Sequence, residues 1–281
     1  ALLFLPGLAA AQKAEWDEGL SDRVLALQRW FSQLSYMQGH AAATWDGWFD
    51  DGNQLDITAF RYQFAFCGYA CVAMAARTPA YRDLLQRQLS DLCARMIDRR
   101  AWLYVPHYWD YGDGPPDPCR YENVMYTGHL TQLMSLFELM TGDMRYSDPG
   151  WDFVWEDGRA VHYTLEKAVQ GLHDQSATSP TGGICCEPGL VFADCNSHSS
   201  ASFVVFDLVH NTHYSGVNQR WFDWMHVHFR NRVPFTREFL YVIYDQKRGV
   251  FYPVCDVGAD CWALGWGFPW FPDSQFLQEG W

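Results

Sequence analysis

No stretch of the 281 residues gathers lysine and arginine into a basic cluster, and 20 Lys+Arg against 33 Asp+Glu leave a formal net charge of −13. Such a chain repels a phosphate backbone, which argues against nucleic acid as a partner. No run is long enough to read as a membrane span: "FAFCGYACVAMAA" (64–76) is apolar but falls well short of the ~20 residues required. There is no N-x-S/T acceptor for glycosylation, no low-complexity tract, no linker and no composition shift. Residues 13–281 therefore read as one domain, long enough for a sizeable core. Nor do the nine cysteines spell a disulfide framework, being odd in number and widely spread. A single pair, Cys255 with Cys261 or Cys119 with a partner, stays open at this stage.

What the chain does have is aromatic surface. Phe, Trp and Tyr make up 17% of it, with 14 tryptophans. That excess suits either a Trp-rich core or a cavity lined with flat apolar faces. The opening "ALLFLPGLAAAQ", residues 1–12, has small residues at 9–11. It resembles the end of a secretory signal or the exit from a membrane anchor, and equally an arm packed on the domain. The expectation is an extracytoplasmic or membrane-proximal protein rather than a cytoplasmic one.

Helical periodicity dominates. "LSDRVLALQRWFSQLSYM" places Val24, Leu25, Leu27, Trp30, Phe31 and Leu34 on one broad face, with Ser21 as its cap. The segment 57–77 is apolar nearly all round, as a buried inner helix is. "PAYRDLLQRQLSDLCARMIDRRA" is amphipathic, with Leu84, Leu85, Leu89, Leu92 and Met96 inside. The alternation continues with an apolar helix ending at Gly142, an amphipathic one over "YTLEKAVQGLHDQ", an apolar one over "SSASFVVFDLVHNTHY" and a mixed one over "GVNQRWFDWMHVHFRNR". Inner and outer helices in turn predict an all-α fold, a toroid of helical hairpins or a compact irregular α-domain. "REFLYVIYDQKRGVFYPV" breaks the rhythm as a β-hairpin turning at Asp245 to Gly249.

Three loops are long and polar enough to carry chemistry: Thr44 to Asn53, "PHYWDYGDGPPDPCRYEN", and "TGGICCEPGLVFADCNSHSS" with Cys185, Cys186 and Cys195. Those cysteines with His198 could be four metal ligands, but adjacent cysteines diverge and structural zinc favours two spaced pairs. Cys186 and Cys195 could close a small disulfide loop. His226 and His228, two apart on a helix, face different ways. The remaining reading is chemical. Burial keeps a thiol protonated near neutral pH, ready to donate, while a second thiol or the imidazole of His129 accepts. That equipment suits a substrate with a hydroxyl or an alkene.

"ENVMYTGHL", a helix ending "LMTG", then "GICCEP" and "DCNS" resemble the linalool dehydratase/isomerase family in order and spacing. "LSYM" near Tyr36, "CGYA" at Cys67 to Ala70 and the tyrosine of "NTHY" extend the resemblance, which covers the chain from about Leu20 onward. It implies an (α/α) barrel enzyme that dehydrates, hydrates or isomerises a monoterpenoid alcohol without a cofactor or metal. The family's Gly-His histidine falls on His129, and the cysteines of its Cys-Glu-Pro and Cys-Asn motifs on Cys186 and Cys195. Cys185 stands where the family has an apolar residue and reads as packing. The family's aspartate and tyrosine after the Tyr-Met pair are replaced here by residues around Gly39 to Ala41 and by Gly47 or Trp48, and a further tyrosine by Phe64. His40, Asp46 or Asp260 are the substitutes the sequence offers. The family closes its barrel with helical hairpins beyond the point matching Trp281, so the expectation is an open ring or one completed by another subunit of a homo-oligomer.

The expected site is therefore His129, Cys186 and Cys195 as acid–base residues. Trp45, Trp48, Phe64, Tyr126, Glu187, Asp260 and Trp262 would surround a small apolar isoprenoid-like substrate, with Trp266 among the aromatics facing it. The expected chemistry is lyase or isomerase chemistry through a carbocation-like state. A cyclase closing a ring in a larger terpenoid or polyketide-like molecule is one alternative. A non-catalytic protein that binds an apolar ligand or assembles with a partner is another. Sugar-processing α/α toroids would need two carboxylates facing one cavity.

Overall fold

The computed structural model describes residues 21–33, 48, 59–78, 81–267, 269, 271 and 275–280. The N-terminal arm over 1–12 lies outside the described residues, as do Tyr36, His40, Trp45, Asp46 and Gly47. The described chain is mostly helical: α1 Asp22–Ser32, α2 Ala59–Arg77, α3 Arg82–Ile97, α4 Val124–Thr141, α5 Leu165–Thr178, α6 Ala193–His210, α7 Asn218–His228, α8 Val257–Gly267 and α9 Gln275–Gly280. The all-α reading is correct for the bulk of the fold. Two small antiparallel sheets accompany it.

Helix α4 is the axis of the packing. Its residues from Val124 to Glu138 are all buried, as the apolar run in the sequence requires. It ends where Gly142 takes φ 70°, a left-handed cap that a side chain disfavours. Its largest partner is α6, and α2, α3 and α5 also pack on it. At the crossing with α6, a Cβ added to Gly128 would lie 3.1 Å from the backbone nitrogen of Ser199. The bare glycine lets the two backbones meet where α4 carries His129 and α6 carries His198. The apolar helix α2 contributes buried Phe64, Ala65, Cys67, Tyr69 and Cys71, and α3 buries Leu85, Leu89, Leu92 and Met96 with Leu84 half-buried. No helix among the described residues is long and apolar enough to cross a membrane.

Helix α1 departs from expectation. Ser21 does cap it, accepting the amide of Val24 at 3.4 Å, but Leu27 and Trp30 are 46% and 43% exposed. The buried face is instead that of Gln28 and Phe31, because the Gln28 amide reaches across to Gln88 Oε1 of α3 at 2.8 Å. A polar pair with a buried partner overrides the apolar count.

The strands also exceed expectation. β1 Trp151–Val154 pairs with β2 Ala160–Tyr163, burying Trp151 and Phe153 and exposing Asp152 and Val154. The expected hairpin at Asp245 to Gly249 is present as β5 Ile243–Asp245 and β6 Val250–Phe251, closed by the Gly249 amide on the Asp245 carbonyl at 2.8 Å. It is one half of a four-stranded sheet in the order β3-β4-β5-β6, whose other half is β3 Cys185–Glu187 and β4 Leu190–Phe192. The segment read as a cysteine loop is thus a strand pair running into α6, whose first turn holds Cys195.

Candidate active site

Asn196 fastens the cysteine strand to the cysteine helix. Its Oδ1 accepts the Ile184 amide at 2.7 Å, and its Nδ2 donates to the carbonyls of Ile184 at 3.0 Å and Phe192 at 2.9 Å. The side chain is buried, so water cannot replace these bonds. Removing a partner from buried backbone groups costs about 1–3 kcal/mol each. Asn196→Ala is therefore expected to destabilise the protein by roughly 3 kcal/mol or more. A fall in the denaturant midpoint at unchanged slope checks this.

So held, adjacent Cys185 and Cys186 part company, as successive strand residues do. Cys185 packs with Val191, Trp221 and Phe229 in a smaller apolar cluster, as its packing assignment required. Cys186 joins the main core with Cys195. The two thiols are hydrogen-bonded, and Cys186 Sγ in turn donates to Glu187 Oε1 at 3.5 Å. The bond from Cys195 favours the Cys186 thiolate, but burial and the nearby Glu187 outweigh it and hold the pKa above the usual thiol value. Burial, the Cys186 bond and the acids Asp194 and Glu187 push Cys195 well above that value. Burial likewise raises Glu187, against the opposing pull of Arg61 and of the Cys186 bond. The result is a line in which Cys195 donates to Cys186 and Cys186 donates to a Glu187 carboxyl oxygen.

Asp194 stands beside this line, its Oδ1 accepting the Cys195 amide at 2.9 Å. Burial pushes its carboxyl up to about 6, from an ordinary 3.8. The folded state thus binds this proton more tightly than the unfolded chain, so stability falls as pH rises from about 4 to about 6 and the loss is complete above 6. Asp194→Asn keeps an amide oxygen for the Cys195 N–H and removes the charge. Relative to wild type it should be more stable at pH 8 than at pH 4 by on the order of 2 kcal/mol. Denaturation at the two pH values checks the sign.

Across from the thiols, two imidazoles meet with ring centroids 3.9 Å apart. His198 is locked. The Trp262 indole, which can only donate, gives its Nε1–H to His198 Nε2 at 2.6 Å. Nε2 must then be the unprotonated nitrogen, so Nδ1 carries the hydrogen and donates to Gln132 Oε1 at 2.7 Å. Burial lowers its pKa to about 3. His129 shares only Nδ1, with the Tyr69 hydroxyl at 2.8 Å. Its Nε2 is buried without a partner. Burial, then His198 and Arg61, hold it well below the usual histidine value, so both rings are neutral. Of the pair, only His129 has a nitrogen free to exchange a proton.

Tyr62 joins the two halves. Its ring meets His129 edge-on at 5.9 Å and Trp262 at 6.0 Å, and it lies within electrostatic reach of Cys186 and Cys195. Phe66 adds contacts to His129 at 5.5 Å, His198 at 6.0 Å and Trp262 at 5.0 Å, and Trp266 covers Tyr69 and His198. Tyr62, Phe66, Glu187, Trp262 and Trp266 are all half-buried. The neutral imidazole and the protonated thiols thus share a wall of aromatic faces, an arrangement able to give a proton to one atom and take one from another.

Of the site residues expected from sequence, the fold brings together His129, Cys186, Cys195, Glu187 and Trp262. Others are engaged elsewhere. Trp48 meets Phe64 edge-on at 4.8 Å under the Arg95 guanidinium, and Phe64 stacks on Phe60. Tyr126 donates to the Met96 carbonyl at 2.5 Å and packs on Phe153. Asp260 accepts the amides of Phe239 and Leu240 at 2.6 and 2.9 Å, anchoring the chain before β5. Trp45 lies outside the described residues. The zinc arrangement of Cys185, Cys186, Cys195 and His198 fails because Cys185 faces the other cluster and both His198 nitrogens are taken. Among the described residues no group of three His, Cys, Asp or Glu could hold a metal ion, and all nine cysteines are free thiols.

Sequence reading missed Arg61, Tyr62, Tyr69, Asp194 and the locked state of His198. Tyr69 sits within the "CGYA" motif and Asp194 within "DCNS", so both lay inside stretches already singled out. Arg61 left one signal, a lone cation opening an apolar helix.

A family model described as linalool dehydratase/isomerase matches residues 61–279. That span contains every residue of the cluster, from Arg61 and Tyr62 through His129 and the cysteine strand to Trp262 and Trp266. The chain belongs to the linalool dehydratase/isomerase family, a family of dehydratase and isomerase enzymes.

Proposed function

We propose that the protein is a lyase or isomerase that dehydrates, hydrates or isomerises an isoprenoid alcohol or alkene through a carbocation-like state, with acid and base both supplied by side chains. The observation that carries this reading is the pairing of a thiol–thiol–carboxyl line with one histidine nitrogen left free. In dehydration, a thiol of the Cys186–Cys195 pair gives its proton to the substrate hydroxyl. The C–O bond breaks, water leaves, and the thiolate is stabilised by its neighbour's S–H. His129 Nε2 takes a proton from the adjacent carbon, and the electrons of that C–H bond form the alkene. Return of the proton from His129 to the thiolate closes the cycle. Hydration is the same path reversed, and isomerisation recaptures water at the other end of the allylic cation.

Two constraints support the assignment. For Nε2 to accept, His129 must donate Nδ1–H to Tyr69, which fixes the tautomer and makes Tyr69 a positioning residue. The aromatic faces of Tyr62, Phe66, Trp262 and Trp266 suit a developing cation, each cation–π contact being worth on the order of 0.5–2 kcal/mol. The described helices then belong to an (α/α) toroid whose interior this cluster occupies. The same aromatic wall favours one second reading, protonation of an alkene or epoxide in a larger isoprenoid followed by ring closure.

Incubation with linalool, geraniol and farnesol in D2O, read by gas chromatography–mass spectrometry, tests the reading. Hydrocarbon or allylic-isomer products are expected, with deuterium on carbon only where the reaction runs back through protonation of the alkene, and cyclic products would select the cyclase variant. No turnover of these alcohols, nor of an isoprenoid alcohol that also carries a carboxylate, would refute it.

A further inference from the structure

Arg61 is the unexplained charge of the site. It opens α2 and is 4% exposed, with its guanidinium between the rings of Tyr62 and Tyr104 at 4.7 and 4.6 Å. The guanidinium donates through Nη2 to the Tyr62 hydroxyl at 2.9 Å and is also hydrogen-bonded to the Tyr104 hydroxyl, while Nε and Nη1 are buried with no hydrogen-bond partner. None of the ion pairs among the described residues includes it. Its electrostatic neighbours are Cys186, Glu187 and His129, which places it on the thiol–thiol–carboxyl line. Glu187 Oε2 is also buried without a partner.

Buried donors are nearly always satisfied, and a buried cation left unpaired is among the most costly arrangements in a protein. The chemistry proposed above sharpens the problem. A carbocation forming beside a fixed guanidinium is repelled by it, the more so in a low-dielectric pocket. A negative group on the substrate removes both difficulties, satisfying the open N–H donors and cancelling the charge the developing cation would meet. We infer that Arg61 binds an anionic oxygen group, a carboxylate in the simplest case, on the isoprenoid substrate, with the chain laid along Tyr62, Phe66, Trp262 and Trp266. The inference rests on the isoprenoid reading and narrows its substrate class from neutral alcohols to isoprenoids that carry an acid.

The test is equilibrium binding at pH 7.5, followed by quenching of tryptophan fluorescence, with geranic acid, its methyl ester and geraniol. Geranic acid is expected to bind at least tenfold more tightly than the ester, since a hydrogen bond to a charged group is worth about that factor or more. In Arg61→Gln that preference should vanish through weaker binding of the acid, with the ester changed less than threefold. Equal affinity of wild type for acid and ester would overturn the inference while leaving the isoprenoid site standing. A folded Arg61→Gln protein that keeps the preference would overturn it as well. If none of the three ligands binds, the isoprenoid reading falls and the anion site with it. Should Arg61→Gln fail to fold, the acid–ester comparison on wild type decides alone.

Discussion

His129→Gln lowers kcat by roughly 10²–10⁴-fold while the protein stays folded, the range expected when a positioned acid or base is removed. Glutamine retains a polar partner for Tyr69, so the loss falls on proton transfer rather than on packing. The effect should be in kcat more than in KM, because Nε2 touches the substrate proton only as it departs. His129 should contribute no inflection near pH 6.5, the ordinary histidine value, because burial, His198 and Arg61 hold it neutral well below that; an inflection near 6 would belong to Asp194 and should persist in His129→Gln. His198 behaves differently. With Nε2 occupied by Trp262 and Nδ1 by Gln132, it braces the ring of His129 and takes no proton itself. A pH–rate profile and steady-state kinetics of the two histidine variants separate these roles.

Cys186→Ala and Cys195→Ala each remove a comparable share of the rate, again roughly 10²–10⁴-fold. Because the two thiols are one hydrogen-bonded unit with Glu187, their effects do not add. The double variant should be no slower than the slower single one, within about threefold, as happens when residues act together. Additive losses would mean two separate proton donors. Cys185→Ala serves as the internal control: it is buried in the neighbouring cluster and should change stability, not turnover. Both thiols are held above the usual thiol pKa, so the acid form persists through neutral pH and activity is lost only on the alkaline side.

Much of the fold was legible because its signals are local. The run from Val124 to Gly142 is apolar on every side and stops at a glycine, which is all that a central helix with a left-handed cap requires. The amphipathic spacing of Leu85, Leu89, Leu92 and Met96 read correctly for the same reason. The turn at Asp245 to Gly249 carries its own turn residues. The β1–β2 hairpin was missed although Trp151 and Phe153 alternate with Asp152 and Val154 and Gly158 takes φ 83° in the turn. Strands of four residues leave too little pattern to outweigh the helical rhythm around them. Cys185 to Glu187 was read as loop because strands of three residues carry no period of their own; β3 pairs only with β4, and β4 in turn pairs with β5 more than fifty residues away.

The site divides in the same way. His129, Cys186 and Cys195 could be singled out from their motifs. Cys185 could be set aside because the family it resembles has an apolar residue at that position. What could not be read is which histidine has a free nitrogen. That depends on Gln132 in α4 and Trp262 in α8, 66 and 64 residues from His198. Tyr126, Phe64, Trp48 and Asp260 were drawn into the expected pocket by their chemistry and the family pattern. Each has its contacts elsewhere: with Met96 and Phe153, with Phe60, with Arg95, and with the amides before β5. Residue type tells what a side chain is able to do, while its partners in space decide what is left over to do it.

The most direct test of the central claim is thiol labelling of the native protein by iodoacetamide, with labelling rates read at each cysteine by mass spectrometry, with and without geraniol and geranic acid. Cys186 and Cys195 are expected to be reduced, and an isoprenoid ligand is expected to slow their labelling severalfold. Exposed Cys261 and half-exposed Cys255 should react at unchanged rates. A disulfide between Cys186 and Cys195, or labelling at the same rate with and without both ligands, would contradict that claim.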